Sequence, residues 1–219
     1  MRKRTILLIV SLVLILSIWI TPALAETVYL DPSENSFDVG EVSVGHRFNV
    51  TAWVSNVADL MGFQVALYYN ASVINMTSAS LASDYVFAGQ AGIPLGPLIN
   101  YTDSWGYGFV GFSGLGGMTT PFTGTGKLAV FEFEITTVPE VGNLTSPLII
   151  SYKVTGGTYE TKLKNSTGGA IIFTGTDGSY IIIPEFLSFL ILPMFSVLTL
   201  VAVILAKKPR RKRGFEHTV

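Results

Sequence analysis

Between positions 26 and 184 apolar and polar residues alternate with a period of two. Phe48, Val50, Ala52 and Val54 fall on one side of an extended segment, with Asn49, Thr51, Trp53 and Ser55 on the other. Phe63, Val65, Leu67 and Tyr69 alternate in the same way with Gln64, Ala66 and Tyr68. In 129–135 the residues Ala129, Phe131, Phe133 and Ile135 alternate with Val130, Glu132 and Glu134, which points the phenylalanines at a core and the glutamates at water. Further strands are predicted at 27–30, 105–112, 148–154, 170–174 and 179–183. Breaks rich in glycine, proline and asparagine separate them at 31–40, 89–97, 113–126 and 155–157. Helical periodicity is absent here, and many short strands with regular breaks predict an all-β sandwich.

The pattern changes at both ends. Arg2, Lys3 and Arg4 precede an apolar run at 6–20, and Pro22 precedes Ala23-Leu24-Ala25, the layout of a signal peptide cleaved to leave Glu26 first. Residues 186–206 carry no charge and are followed by Lys207, Lys208, Arg210, Arg211, Lys212 and Arg213. As a helix they would span roughly 31 Å, the thickness of a bilayer core. The basic cluster places the C-terminus in the cytoplasm and everything before the helix outside the cell membrane. The expected organisation is a signal peptide (1–25), one β-sandwich ectodomain (26–183), a transmembrane helix with its preceding motif (184–206) and a basic cytoplasmic tail (207–219). No long stalk joins the last strand to Pro184, so the ectodomain is expected close to the membrane.

Charge sharpens this division. The whole chain has a net charge of −1, but residues 26–184 hold five basic and thirteen acidic side chains, a net of −8. An acidic ectodomain disfavours nucleic acid and anionic lipid. Cysteine is absent, so the domain depends on its core rather than on disulfides, and no Cys/His metal cluster is available. Of eight asparagines, six begin an N-x-S/T sequon: Asn49, Asn70, Asn75, Asn100, Asn143 and Asn165. That excess predicts an extracellular glycoprotein with these side chains exposed.

Catalytic chemistry is sparse. His46 is the one histidine of the ectodomain, and no G-x-S-x-G, H-E-x-x-H or phosphate-binding loop is present. Glu132 and Glu134 would lie about 7 Å apart on one strand face, but paired catalytic carboxylates flank a cleft, so a solvated face is expected. The chain is therefore expected to be neither an enzyme nor a cofactor carrier. Asp31, Glu34, Asn35 and Asp38 offer hard oxygen donors in one predicted loop and are weak calcium candidates, without the central glycine and final glutamate of an EF-hand. Tyr101, Trp105 and Tyr107 are candidates for stacking on sugar rings. Trp105, Tyr107 and Phe109 share a strand face opposite Gly106 and Gly108, and that face is either core or an exposed aromatic row. Trp53 falls on the polar side of its segment.

The stretch 44–74 resembles the cohesin domain and related carbohydrate-binding modules. The features that carry the resemblance are Gly45, the strand at 48–54, Asn56-Val57, Leu60, Gly62, the second strand at 63–67 and Tyr69-Asn70. Later blocks keep the same order: 105–112 resembles the family's middle strand, 126–136 the strand after its long loop, and Asp177-Gly178 the lead into the closing strand. Ala71 departs from the proline often found there. The resemblance implies a jelly-roll β-sandwich of about nine strands that binds rather than catalyses, with a protein partner that in cellulosomes is a dockerin. The partner-facing sheet would include the strands around 61–69 and 105–112, which Asn70, Asn75 and Asn100 flank. Gly62 is expected to relieve the chain where one strand turns into the next. Pro184-Glu185-Phe186, an apolar helix and a basic cluster resemble the PEF-type sorting signals of archaeal surface proteins, which implies processing by a sortase-like transpeptidase. The expected function is non-catalytic adhesion or scaffolding at the cell surface. The alternatives are polysaccharide binding and a structural role in the envelope.

Overall fold

In the computed structural model, which describes residues 25–101, 104–140, 142–150, 159–183 and 196–200, the alternating stretches become strands. There are twelve among the described residues: β1 (Thr27–Asp31), β2 (Glu34–Asp38), β3 (Arg47–Asn70), β4 (Ile74–Leu81), β5 (Gly92–Tyr101), β6 (Trp105–Gly114), β7 (Phe122–Ile135), β8 (Leu144–Leu148), β9 (Lys162–Asn165), β10 (Ala170–Ile171), β11 (Thr174–Thr176) and β12 (Gly178–Ile183). The predicted signal peptide, Pro184, Glu185, Phe186 and the basic tail lie outside the described residues. Of the predicted membrane helix only 196–200 is described, and it is helical. No helix among the described residues is long and apolar enough to cross a membrane.

β3 organises the molecule. The two alternating runs predicted around 48–54 and 63–69 form one strand of 24 residues. Its first half pairs with β1 and β7, and its second half with β6 and β9. Register shifts on either side of Val57 bend it between the two. Asn56 and Asp59 take positive φ at the bend (56° and 59°), a conformation asparagine and aspartate tolerate better than other side-chain-bearing residues. Their amides donate to Thr125 and Thr123 of β7, so the distorted backbone stays satisfied. The bulges also keep Val54, Val57 and Leu60 all buried, a spacing of three that an unbroken strand would not give. Gly62 is not the hinge. It serves close approach, because a Cβ there would stand 3.1 Å from the Phe112 carbonyl of β6.

The bend yields two facing layers. One runs β11-β1-β3-β7-β4 and the other β9-β3-β6-β5, with a three-stranded sheet β2-β12-β8 beside them. Phe48, Val50, Ala52, Phe131, Phe133 and Ile135 enter the core from the first layer, and Phe63, Val65, Leu67 and Tyr69 from the second, as the alternation predicts. Tyr69 meets Phe133 edge-on at 5.2 Å across the layers. Gly106 and Gly108 turn inward, and a Cβ would strike the Tyr69 ring at 2.2 Å and the Met76 sulfur at 2.0 Å. Two ring-sized gaps on β6 thus admit two large core side chains.

Several predicted breaks are strands. The 31–40 segment contains β2, which pairs in parallel with β12. The 89–97 segment enters β5, where Pro94 and Pro97 are tolerated because β5 pairs only with β6 and is an edge. The predicted strand at 170–174 is split into β10 and β11. Of the strand expected at 148–154 only 148–150 is described: Leu148 ends β8, which starts four residues earlier than expected, and Ile149 makes a single bridge to Tyr68. Residues 151–158, with the predicted break at 155–157, lie outside the described residues.

Candidate functional site

The outward face of the β9-β3-β6-β5 layer is the most chemically varied surface of the domain. Register fixes its members, since residues directly paired across strands share a face. Ala66, Phe109 and Leu98 form one row, Tyr68, Tyr107 and Asn100 the next, and Asn70 with Trp105 the last. At the other end Gln64 pairs with Lys162 and Gly62 with Lys164. Ile93 is 53% and Leu98 38% exposed on the edge strand. Next to them a cleft of about 330 Å³ opens between Met61, Leu95, Ser113, Lys162 and Lys164. Two of the five cations in residues 26–184 therefore stand on one strand of an otherwise acidic domain. Glu160 lies 3.4 Å from Lys162 and offsets one of them.

The middle of this face is covered by the chain itself. Tyr159 packs on Phe109 at 4.8 Å and on Tyr107 at 5.6 Å. The Tyr68 hydroxyl donates to the Tyr159 carbonyl at 2.6 Å and accepts from the Tyr159 amide at 3.1 Å. Burial pushes the Tyr68 phenol up, against the opposing effect of that backbone hydrogen bond. This arrangement explains why Ala66 and Tyr68, on the predicted polar side of β3, are buried. Nothing in the local sequence of β3 marks Tyr159, which arrives from 91 residues away.

The three stacking candidates do not form one platform. Trp105 is 37% exposed and Tyr107 is half-buried under Tyr159. Tyr101 pairs with Gly106, which places it on the opposite face of the layer, at its edge. The calcium candidates do not converge either. Glu34 and Asp38 point one way along β2 and Asn35 the other, where it is buried. Among the described residues no group of three His, Cys, Asp or Glu side chains is placed to hold a metal ion. Glu132 and Glu134 lie on an outer face as expected, but Arg47 bridges them at 3.0 and 3.2 Å. Thr77 also donates to Glu132 at 2.6 Å, so the two carboxylates form an ion-pair network instead of flanking a cleft. His46 is exposed beside Phe37.

The six sequon asparagines divide by environment. Asn49, Asn100 and Asn143 are exposed, and Asn70, Asn75 and Asn165 are half-buried. In two of them the sequon closes on itself. Ser72 donates to the Asn70 carboxamide oxygen, and Thr167 donates to that of Asn165 at 2.8 Å. Asn75 instead accepts from the Tyr69 hydroxyl at 3.3 Å.

No protein-family model and no curated protein sequence matches this chain. Solved structures do match. A type I cohesin–dockerin complex from Clostridium thermocellum matches with a TM-score of 0.53 at 16% identity, over 75% of this chain and 97% of that one. The third cohesin ScaC of Acetivibrio cellulolyticus, solved with the ScaB dockerin, matches with a TM-score of 0.52 at 13% identity, over 72% and 99%. A non-cellulosomal cohesin from the archaeon Archaeoglobus fulgidus gives 0.49 at 12% identity, over 74% and 94%. The fold of the described β domain is a cohesin-like β-sandwich.

Proposed function

We propose that the ectodomain is a non-catalytic protein-binding module that docks a partner on the outward face of the β9-β3-β6-β5 layer. The observation that carries this reading is the exposed apolar edge at Ile93 and Leu98 of β5, with Lys164 of β9 across the layer, on a molecule whose other charges are mostly acidic. The cohesins similar in fold include two solved in complexes with dockerins. A partner offering apolar side chains and carboxylates would fit this face. On the sequence, the module is an archaeal cell-surface glycoprotein, with the leader removed, glycans at the sequons and the 186–206 helix as anchor. Pro184-Glu185-Phe186 would direct a sortase-like enzyme to that anchor. The module's role is then adhesion or scaffolding close to the envelope.

The test is capture of surface extract by the purified chain, compared among variants of two faces. Ile93→Asp and Lys164→Glu are expected to abolish retention of the same partner that Ser80→Lys, on β4, leaves bound. Equal retention by all three would overturn the assignment of the face. Exposure of Trp105 supports polysaccharide binding as a second reading, and a glycan array probed with the chain and with Trp105→Leu tests it.

A further inference from the structure

The exposed Trp105 and the half-buried Tyr107, at one end of the docking face, stand directly opposite two sequons. Asn70 of β3 pairs with Trp105 of β6, and Asn100 of β5 pairs with Tyr107. Directly opposed residues have Cβ atoms about 4.5–5.5 Å apart on the same face. Nδ2 of Asn100 lies 3.5 Å from the Tyr107 hydroxyl, so its attachment atom already points over β6. At Asn70 the carboxamide oxygen is held by the Ser72 backbone amide at 3.0 Å and by its hydroxyl, which fixes the orientation of the group. Neither arrangement recurs at the two sequons on strands of the first layer, because Asn49 is opposite Glu132 and Asn75 is opposite Glu134.

We propose that Trp105 and Tyr107 are the seat of the chain's own glycans, with the first pyranose on Asn70 stacked on Trp105 and that on Asn100 lying along Tyr107. The inference rests on the reading that these sequons are used. Glycosylation joins the anomeric carbon of a phosphate-linked lipid saccharide to Nδ2, releasing the lipid phosphate and one amide proton. The remaining N–H of Asn100 is still able to donate to Tyr107. A pyranose presents an apolar C–H face, and a tryptophan held within one strand spacing of its attachment point receives it with little loss of freedom. An exposed tryptophan on this face is then explained without an external sugar. Glycans on Asn70 and Asn100 leave the Ile93–Lys164 end for partner docking, with the Asn165 sequon at the border of that cleft.

The test is a double-mutant cycle on the full-length chain, produced in a glycosylating archaeal host and again in a host without N-glycosylation. Site occupancy is read by mass spectrometry. In the glycosylated chain Asn70→Gln is expected to lower Tm by about 2–4 °C more with Trp105 present than in Trp105→Leu. Leucine keeps apolar bulk at position 105 without the flat ring. The loss of the Ser72 contacts is common to both backgrounds and cancels. In the unglycosylated chain the coupling should vanish. An occupied Asn70 with no coupling, or coupling that persists without glycan, overturns the stacking. An unoccupied Asn70 and Asn100 overturn it together with the sequon reading.

Discussion

Tyr180 lies on β12 in the core, with no solvent exposure, and its hydroxyl finds no hydrogen-bond partner among the described residues. The ring stacks on Phe48 at 5.1 Å and an 11° interplanar angle, and it tilts against Phe37 at 5.9 Å. Tyr180→Phe keeps that ring and removes the unpaired oxygen. An unsatisfied buried hydroxyl costs about 1–3 kcal/mol, so the variant should gain on the order of 1 kcal/mol, or about 2–4 °C in Tm. Alkaline pH supplies an independent readout. Burial raises the Tyr180 pKa in the folded chain, whereas the unfolded chain ionises near pH 10. Above that pH the unfolded state holds fewer protons than the folded one. Stability therefore falls as pH rises, by about 1.4 kcal/mol per pH unit for each hydroxyl that ionises only on unfolding. Burial raises Tyr68, Tyr69 and Tyr85 as well, so the parent chain keeps a slope and the variant loses one contribution to it. Urea unfolding followed by tryptophan fluorescence between pH 8 and about 11 measures both effects. A lower Tm for Tyr180→Phe, or an unchanged alkaline slope, would refute the isolation of this hydroxyl.

Gly111→Ala should destabilise by roughly 1–3 kcal/mol, because the new methyl would stand 2.5 Å from the Phe63 carbonyl and 2.9 Å from Gln64 Cα, both of them backbone. Thermal unfolding checks it, and a neutral result would mean that β3 and β6 can part without cost. Arg47→Met should shift stability by no more than about 1 kcal/mol, since its bridges to Glu132 and Glu134 are solvent-accessible. Tyr159→Ala should uncover Tyr107 and Phe109, while the amide and carbonyl of residue 159 can still hold the Tyr68 hydroxyl. The measurable consequence is binding of a hydrophobic dye to the folded chain. N-terminal sequencing of the chain isolated from its native host should begin at Glu26, and a start at Met1 would remove the cleaved-leader expectation.

Period-two alternation located the central strands and their inward faces correctly, because burial on one side of a pleated strand leaves a mark at every second residue. Phe48 to Val54 and Ala129 to Ile135 are the clearest examples. The mark fails where both faces are covered or where the edge is irregular. Ala66 and Tyr68 read as outward residues until Tyr159 is seen above them. The proline- and glycine-rich β5 reads as a loop because an edge strand needs only half its backbone donors. Asn56 and Asp59 resemble ordinary polar residues in the sequence, and the bend they make is visible only once β7 and β6 claim different halves of β3.

The sequon pattern, the acidic middle of the chain and the apolar ends follow from residue identity alone, since each depends on composition within a short window. Which sequons meet which aromatics does not. Asn70 lies 35 positions from Trp105, and only strand register brings them opposite each other. The same register turns Tyr101 away from Trp105 and Tyr107 although the three are close in sequence. Local sequence determined the alternating sides of each strand. The tertiary pairing decided what each side faces, because a shift of one residue in register would exchange core and surface along the whole strand.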